Sequence, residues 1–191
     1  KNITKKYKIN CQYLDEKKQN EFLKNFKNLK SFLPWNSVQR RNVAILKSLQ
    51  EKCDLIVTID DDNFLKTTNF IQSHLFNIKK TRGKIVNSSS NWFNICQFLN
   101  ENYNNNFFHR GFPISKKKLK NNFELSKQKN FKVAANAGLW LNDPDVDAIT
   151  RLSQKIKVNS YKLNENFHLG PKVWSPFNSQ NTALIAESIP A

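Results

Sequence analysis

Apolar positions recur along the chain with two different periods. Tyr7, Ile9, Cys11 and Tyr13 alternate with polar residues, which predicts a strand over 6–13. Asp15 follows as a helix cap. Phe22, Phe26 and Leu29, widened by Leu23, form a helical stripe over 16–30. Pro34 and Asn36 break the chain, and Asn36 or Ser37 is placed to cap a second helix with Val38, Asn42, Ile45 and Leu49 inward. Leu55-Ile56-Val57-Thr58-Ile59 is an unbroken run rich in β-branched residues. It predicts a strand buried on both faces, as in a parallel sheet. A third helix over 69–80 places Ile71, Leu75 and Ile78 on one side, and a further strand is expected at Lys84-Ile85-Val86. This order of helices and strands predicts an α/β layered domain.

The second half is less regular. Polar stretches at 87–91 and 102–106 read as loops, and Lys132 to Asn142 as a strand containing a Gly. Asp143-Pro144-Asp145 reads as a turn, with Asp145 or Asp147 capping a short helix, and Asn178 to Ile185 as a loop and strand.

Composition changes the picture in three ways. The 191 residues are 39% hydrophobic with 15 Phe, which excludes a disordered chain, and no run of about 18 apolar residues predicts a membrane span. The net charge is +16, from 31 Lys+Arg against 15 Asp+Glu. Only five of these are Arg, and the lysines are spread along the chain with one dense cluster at 116–120. A nucleic-acid reader concentrates its charge and interleaves aromatics, so no nucleic-acid partner is expected. The three Cys (11, 53, 96) form no C-x-x-C pair, and the three His (74, 109, 168) are scattered, which leaves a cytoplasmic location as the expectation. The chain starts at Lys and contains no Met, so a piece of a longer protein is expected.

The sharpest chemical feature is Asp60-Asp61-Asp62-Asn63, directly after the apolar run 55–59. Open α/β sheets bind ligands at the carboxyl ends of their strands. Adjacent carboxylates repel one another unless a cation lies between them, and residues i and i+2 of an extended segment point the same way. Asp60 and Asp62 are therefore the candidate ligands for Mg²⁺ or Mn²⁺, ions that take the rest of their shell from waters and substrate phosphates. The alternative is a solvated acidic turn. Arg110 lies in Phe107-Phe108-His109-Arg110-Gly111-Phe112-Pro113, where a planar guanidinium among aromatics suits phosphate or carboxylate. Arg40 and Arg41 open a helix whose dipole attracts anions. Trp140, within Asn136 to Asp147, can face a sugar or base, and Asn178 and Gln180, within Ser175 to Thr182, can line a sugar pocket.

In this order the segments resemble the reversibly glycosylated polypeptide family, whose plant members are UDP-arabinopyranose mutases. The resemblance rests on the strand ending in Asp60-Asp61-Asp62, then Phe108 to Pro113, then Gly138-Leu139-Trp140-Leu141-Asn142-Asp143-Pro144-Asp145. Trp35-Asn36-Ser37, Asp60 to Asn63 and Pro176 to Thr182 are also similar to STELLO-type glycosyltransferases. Asn63 stands where the mutases carry Cys. The resemblance implies a GT-A fold over 1–191: a Rossmann-like, mostly parallel sheet flanked by helices, here without its first nucleotide-binding strand and its C-terminal part. It implies a nucleotide-sugar substrate, UDP-linked, and an unidentified acceptor. Asp60 and Asp62 would hold Mn²⁺ or Mg²⁺, Asp61 would contact the ribose or orient the loop, and Arg110 falls where the mutases attach sugar reversibly. Two alternatives stand beside the transferase: a UDP-sugar mutase, and a basic module for RNA or an anionic surface. Peripheral membrane attachment and homo-oligomer formation are further expectations.

Overall fold

A computed structural model describes residues 8, 10–101, 107–118, 122–162 and 165–189. These fall into two compact units, 1–56 and 57–191, with the boundary inside one strand.

In the first unit, helix α1 (Glu16–Phe22) begins as expected, with the Asp15 carboxylate accepting from Lys18 N at 2.9 Å. The single helix expected over 16–30 is broken. A 3₁₀ turn (Leu23–Asn25) and a non-helical Phe26 (φ −127°, ψ 61°) separate α1 from α2 (Lys27–Phe32). The break turns Leu23 fully inward, where it packs with Leu33 and with Val43 of α3 (Asn42–Gln50). The expected inner face of α3 is thus shifted: Val43 is buried, and Val38 is 80% exposed in a preceding 3₁₀ turn. Ser37 does not cap with its side chain; its hydroxyl donates to Pro34 O instead. The strand expected over 6–13 lies partly outside the described residues, and 10–13 form no ladder, with Tyr13 exposed.

The second unit contains three small sheets. Strand β1 (Leu55–Ile59), which carries the boundary, leads into helix α4 (Phe70–Lys79) and strand β2 (Arg82–Ser88). Then come β3 (Leu99–Glu101), α5 (Ile114–Lys117), β4 (Phe123–Lys129) and β5 (Ala135–Ala137). The chain ends with α6 (Ala148–Ser153), β6 (Val158–Tyr161), β7 (Phe167–Leu169) and β8 (Asn181–Ile185). The sheet orders are β1-β8-β5, β4-β2-β7 and β3-β6. The architecture is therefore mixed α/β.

The mostly parallel sheet expected from the sequence is not what the registers give. β2 runs parallel to β7, while β2–β4, β3–β6 and β5–β8 are antiparallel. That expectation leaned on full burial of β1, yet β1 is the end strand of its sheet and Ile59 is half exposed. An apolar run alone does not separate a central strand from an edge strand. The strand expected over 132–142 shrinks to Ala135–Ala137. Beyond it, a Cβ on Gly138 would collide with the Asn181 amide, and Gly138 N donates to Asn181 O at 2.8 Å. The stretch 102–106, expected as a loop, and part of the 116–120 lysine cluster lie outside the described residues.

Aromatic packing fills one core. Phe93 and Phe98 are buried, with ring centroids 4.9 Å apart, and Phe98 stacks on Phe167 at 4.2 Å. Such offset pairs add about 0.5–1.5 kcal/mol each beyond area burial. A second core gathers Cys96, Leu99, Phe107, Val146, Ile156 and Val158. Among the described residues no helix is long and apolar enough to cross a membrane.

The buried His74 ties α4 to the β1-β8-β5 sheet. Its Nδ1 bonds Asn136 of β5 at 2.8 Å and its Nε2 bonds Asn181 of β8 at 3.1 Å. A His74→Leu substitution keeps the volume but strands both amides, at a cost of about 1–3 kcal/mol each where burial is complete. The expected outcome is a urea midpoint clearly below wild type with an unchanged slope; an unchanged midpoint would show that His74 is not a strut.

Candidate functional site

The site is built from the loop after β1, the turn around Arg110, the segment before α6 and the segment before β8. Each is held by backbone geometry that its sequence dictates. Asn63 N donates to Asp60 O at 3.3 Å, so the acidic triplet closes as a turn at the end of β1 rather than running into a helix. Asp60 is half-buried, and Asp61 and Asp62 are exposed. In the second loop Phe112 N donates to His109 O at 3.0 Å, closing a turn whose third residue, Gly111, has φ +87°. That conformation favours Gly. Backbone bonds from Arg110 N to Asp145 O (3.0 Å) and from Asp147 N to Phe108 O (2.9 Å) pin this turn to the segment before α6. The Asn94 side chain secures it from beneath by donating to Phe107 O at 2.7 Å.

Asp145 is the hub. Its side chain is only 9% exposed, and Arg110 Nη2 reaches its Oδ2 at 3.1 Å. Asn178 Nδ2 donates to the same oxygen and to Gln180 Oε1, and Gln180 N donates back to Asn178 Oδ1 at 3.0 Å. Asn63 Nδ2 then donates to Gln180 O at 3.3 Å. A continuous polar chain therefore runs from Arg110 through Asp145, Asn178 and Gln180 to the turn that carries Asp60, Asp61 and Asp62. The guanidinium itself stays open, with the Arg110 side chain 61% exposed. Of the residues singled out from sequence, Arg110, Asn178, Gln180 and the acidic turn share one network.

The remaining candidates, Trp140, Arg40 and Arg41, make other contacts. Trp140 is half-buried, with its ring tilted against His109 at 5.5 Å and its Nε1 buried without a hydrogen-bond partner. It is no open platform for a sugar. Arg40 and Arg41 belong to the first unit, in the 3₁₀ turn ahead of α3. Arg40 is engaged there, stacked 4.6 Å over Trp35 and donating to Leu33 O at 3.2 Å.

From sequence Asp145 is expected as part of a turn or as a helix cap, and two exposed aromatics that flank the network in sequence, Phe64 and Phe177, carry no expectation. Phe64, 98% exposed, directly follows Asn63, and Phe177, 54% exposed, directly precedes Asn178. The available signal was adjacency, since an aromatic next to a polar loop is a common way to offer both a flat face and hydrogen bonds. Asp147, the second acidic candidate before α6, is a cap. It accepts from Ile149 N and Thr150 N, and Lys117 Nζ lies 2.9 Å from its carboxylate. Burial pushes its carboxyl up, but the Thr150 hydroxyl and Lys117 outweigh this and hold it below the usual range.

Among the described residues no three His, Cys, Asp or Glu side chains come together as a metal cage. The donors fit a looser role. A Mg²⁺ or Mn²⁺ ion that keeps its waters and takes diphosphate oxygens needs only one or two carboxylates, and the turn presents three in succession. No known protein family matches the chain, and a search of characterised proteins found no match.

His109 is 1% exposed beside this network, with its Nδ1 donating to Arg110 O at 2.6 Å. Burial pushes the imidazole down, against the Arg110 carbonyl and Asp145, which favour protonation. Below the ordinary imidazole value the unfolded chain therefore takes up a proton that the folded ring accepts only at lower pH. Folding stability is expected to fall as the pH drops from neutral through that window, and the slope to flatten in His109→Gln. Urea denaturation across this range checks it; identical slopes in the two proteins would refute it.

Proposed function

We propose that the chain is a glycosyltransferase-like protein of GT-A type that binds a nucleotide sugar, UDP-linked, at the acidic turn and Arg110. The observation that carries this reading is the polar chain joining Arg110 to the Asp60–Asn63 turn through Asp145, Asn178 and Gln180. It links a cation suited to phosphate with carboxylates suited to a divalent ion, although about fifty residues separate them in sequence.

In glycosyl transfer the bond between the anomeric carbon and the diphosphate oxygen breaks, and a bond to an acceptor oxygen forms. Negative charge grows on the leaving diphosphate. Asp60 and Asp62 would hold Mn²⁺ or Mg²⁺, which supplies charge neutralisation when bound. Asp61 would contact the ribose or orient the turn. Arg110, held by Asp145 at one edge and open at the other, offers its free N–H groups to phosphate or sugar. A pre-placed donor of this kind stabilises developing charge without reorganising. Asn178 and Gln180 position that arrangement and can meet sugar hydroxyls. A cytoplasmic location fits a chain whose three cysteines form no C-x-x-C pair.

Calorimetry of UDP-glucose binding, with and without Mn²⁺, tests the proposal on wild type, Asp62→Ala and Arg110→Ala. Loss of the ion or of Asp62 is expected to weaken binding at least tenfold. Arg110→Ala is expected to weaken it by a similar factor, since charged hydrogen bonds contribute about 1.5–3 kcal/mol. Absence of UDP-glucose and UDP binding by wild type in the presence of Mn²⁺, or equal affinity with and without the ion, would overturn it.

A further inference from the structure

Helix α4 borders a shallow groove, wide open to solvent, that the site above does not use. It has a volume of about 600 Å³ and is lined by Asn69, Gln72, Ser73, Phe76, Asn77 and Asn166. The first five lie at i, i+3, i+4, i+7 and i+8 of one helical face. None of the six carries a charge, in a chain of which 24% is charged and whose lysines lie along its whole length.

The polar groups here keep part of their hydrogen-bonding capacity among the described residues. Asn69 occupies the N-cap position of α4, yet its side chain makes no capping bond. The Ser73 hydroxyl donates its hydrogen to Asn69 O and keeps its lone pairs. Asn166 Nδ2 donates to Asn77 Oδ1. Whichever way these two amides are turned, one bond between them leaves one whole NH₂ group and one whole C=O for other partners. Phe76 stands beside them, 68% exposed, although an apolar ring of that size on a helix would ordinarily be turned inward.

An array of amides with both donors and acceptors, one hydroxyl and an open aromatic face, all without charge, matches one ligand chemistry. Neutral sugars present vicinal hydroxyls that act as donor and acceptor together, and an apolar C–H face that lies against a ring. A phosphate or carboxylate ligand would find no cation among these six residues, and a wholly apolar ligand would strand the amides.

We propose that the α4 groove binds a neutral oligosaccharide, with Phe76 under one sugar ring and the Asn77–Asn166 pair on its hydroxyls. The chemistry of the groove stands by itself. Its role as the acceptor subsite, which would make a neutral glycan the acceptor class, rests on the nucleotide-sugar reading above.

Saturation-transfer NMR on the full chain tests it with cellohexaose, maltohexaose, xylohexaose and mannohexaose, and with an oligogalacturonate as the charged control. At least one neutral oligosaccharide is expected to receive saturation on its ring protons, and the galacturonate none. Phe76→Ala is expected to weaken that binding about five- to tenfold, the loss of one aromatic stacking contact. Gln72→Ala should weaken it as well. Both side chains are exposed, so neither change disturbs a core, and circular dichroism verifies the fold. Silence from all four neutral sugars, preference for the charged one, or unaltered binding in both variants would overturn the proposal. UDP-glucose calorimetry on the same samples separates the two readings. Oligosaccharide binding without nucleotide-sugar binding removes the acceptor role and keeps the groove; the reverse removes the groove alone.

Discussion

A carboxylate taken out of water needs hydrogen-bond partners, and Asp145 is where this protein meets that constraint. One of its oxygens receives both the Arg110 guanidinium and the Asn178 amide. Because removing either donor would leave a buried charge short of a partner, the three segments that supply these groups are held in a single arrangement. The backbone follows the same logic. Arg110 and Asp145 exchange a main-chain bond as well as a side-chain one, so the turn at Gly111 has little freedom to reorient the guanidinium. What remains open to solvent is the outer edge of Arg110 and the acidic turn, the two groups whose chemistry suits a charged ligand.

Local signals in the sequence were read with mixed success, and the pattern is physical. Asp15 and Asp147 cap their helices because a cap depends only on residues two or three positions away. Leu55 to Ile59 is a strand, as its run of β-branched residues favours, and Asn181 to Ile185 is one as well. Phase and pairing were harder to read. The stripe over 16–30 is helical at both ends, but burial of Leu23 takes a 3₁₀ turn in the middle. β1 looked central and lies at the end of its sheet, since the difference is decided by which strands arrive later in the chain. The aromatic core of Phe93, Phe98, Phe123 and Phe167 has no periodicity to announce it, coming from a loop, a 3₁₀ turn and two strands.

The site shows the same division. Arg110, Asn178, Gln180 and the Asp triplet stood out by residue type, and the fold joins them. Asp145 did not stand out, because its role is to face inward toward partners that the sequence places more than thirty residues away on either side. Trp140 stood out for the wrong reason. A Trp in a small-residue strand suggests a ligand face, yet its ring is taken up against His109.

The clip between Asn63 and the Gln180 carbonyl has a consequence for timing. A loop that is free before its ligand arrives gives up conformational entropy on binding, and affinity falls accordingly. Here the acidic turn is tied in the folded chain to the segment that leads into β8, the middle strand of its sheet. Thr58, one residue before the end of β1, adds a second tie to the same strand through Thr182 O. The turn is therefore preorganised, and it is also geared to β8: whatever tilts or slides that strand carries the three carboxylates with it.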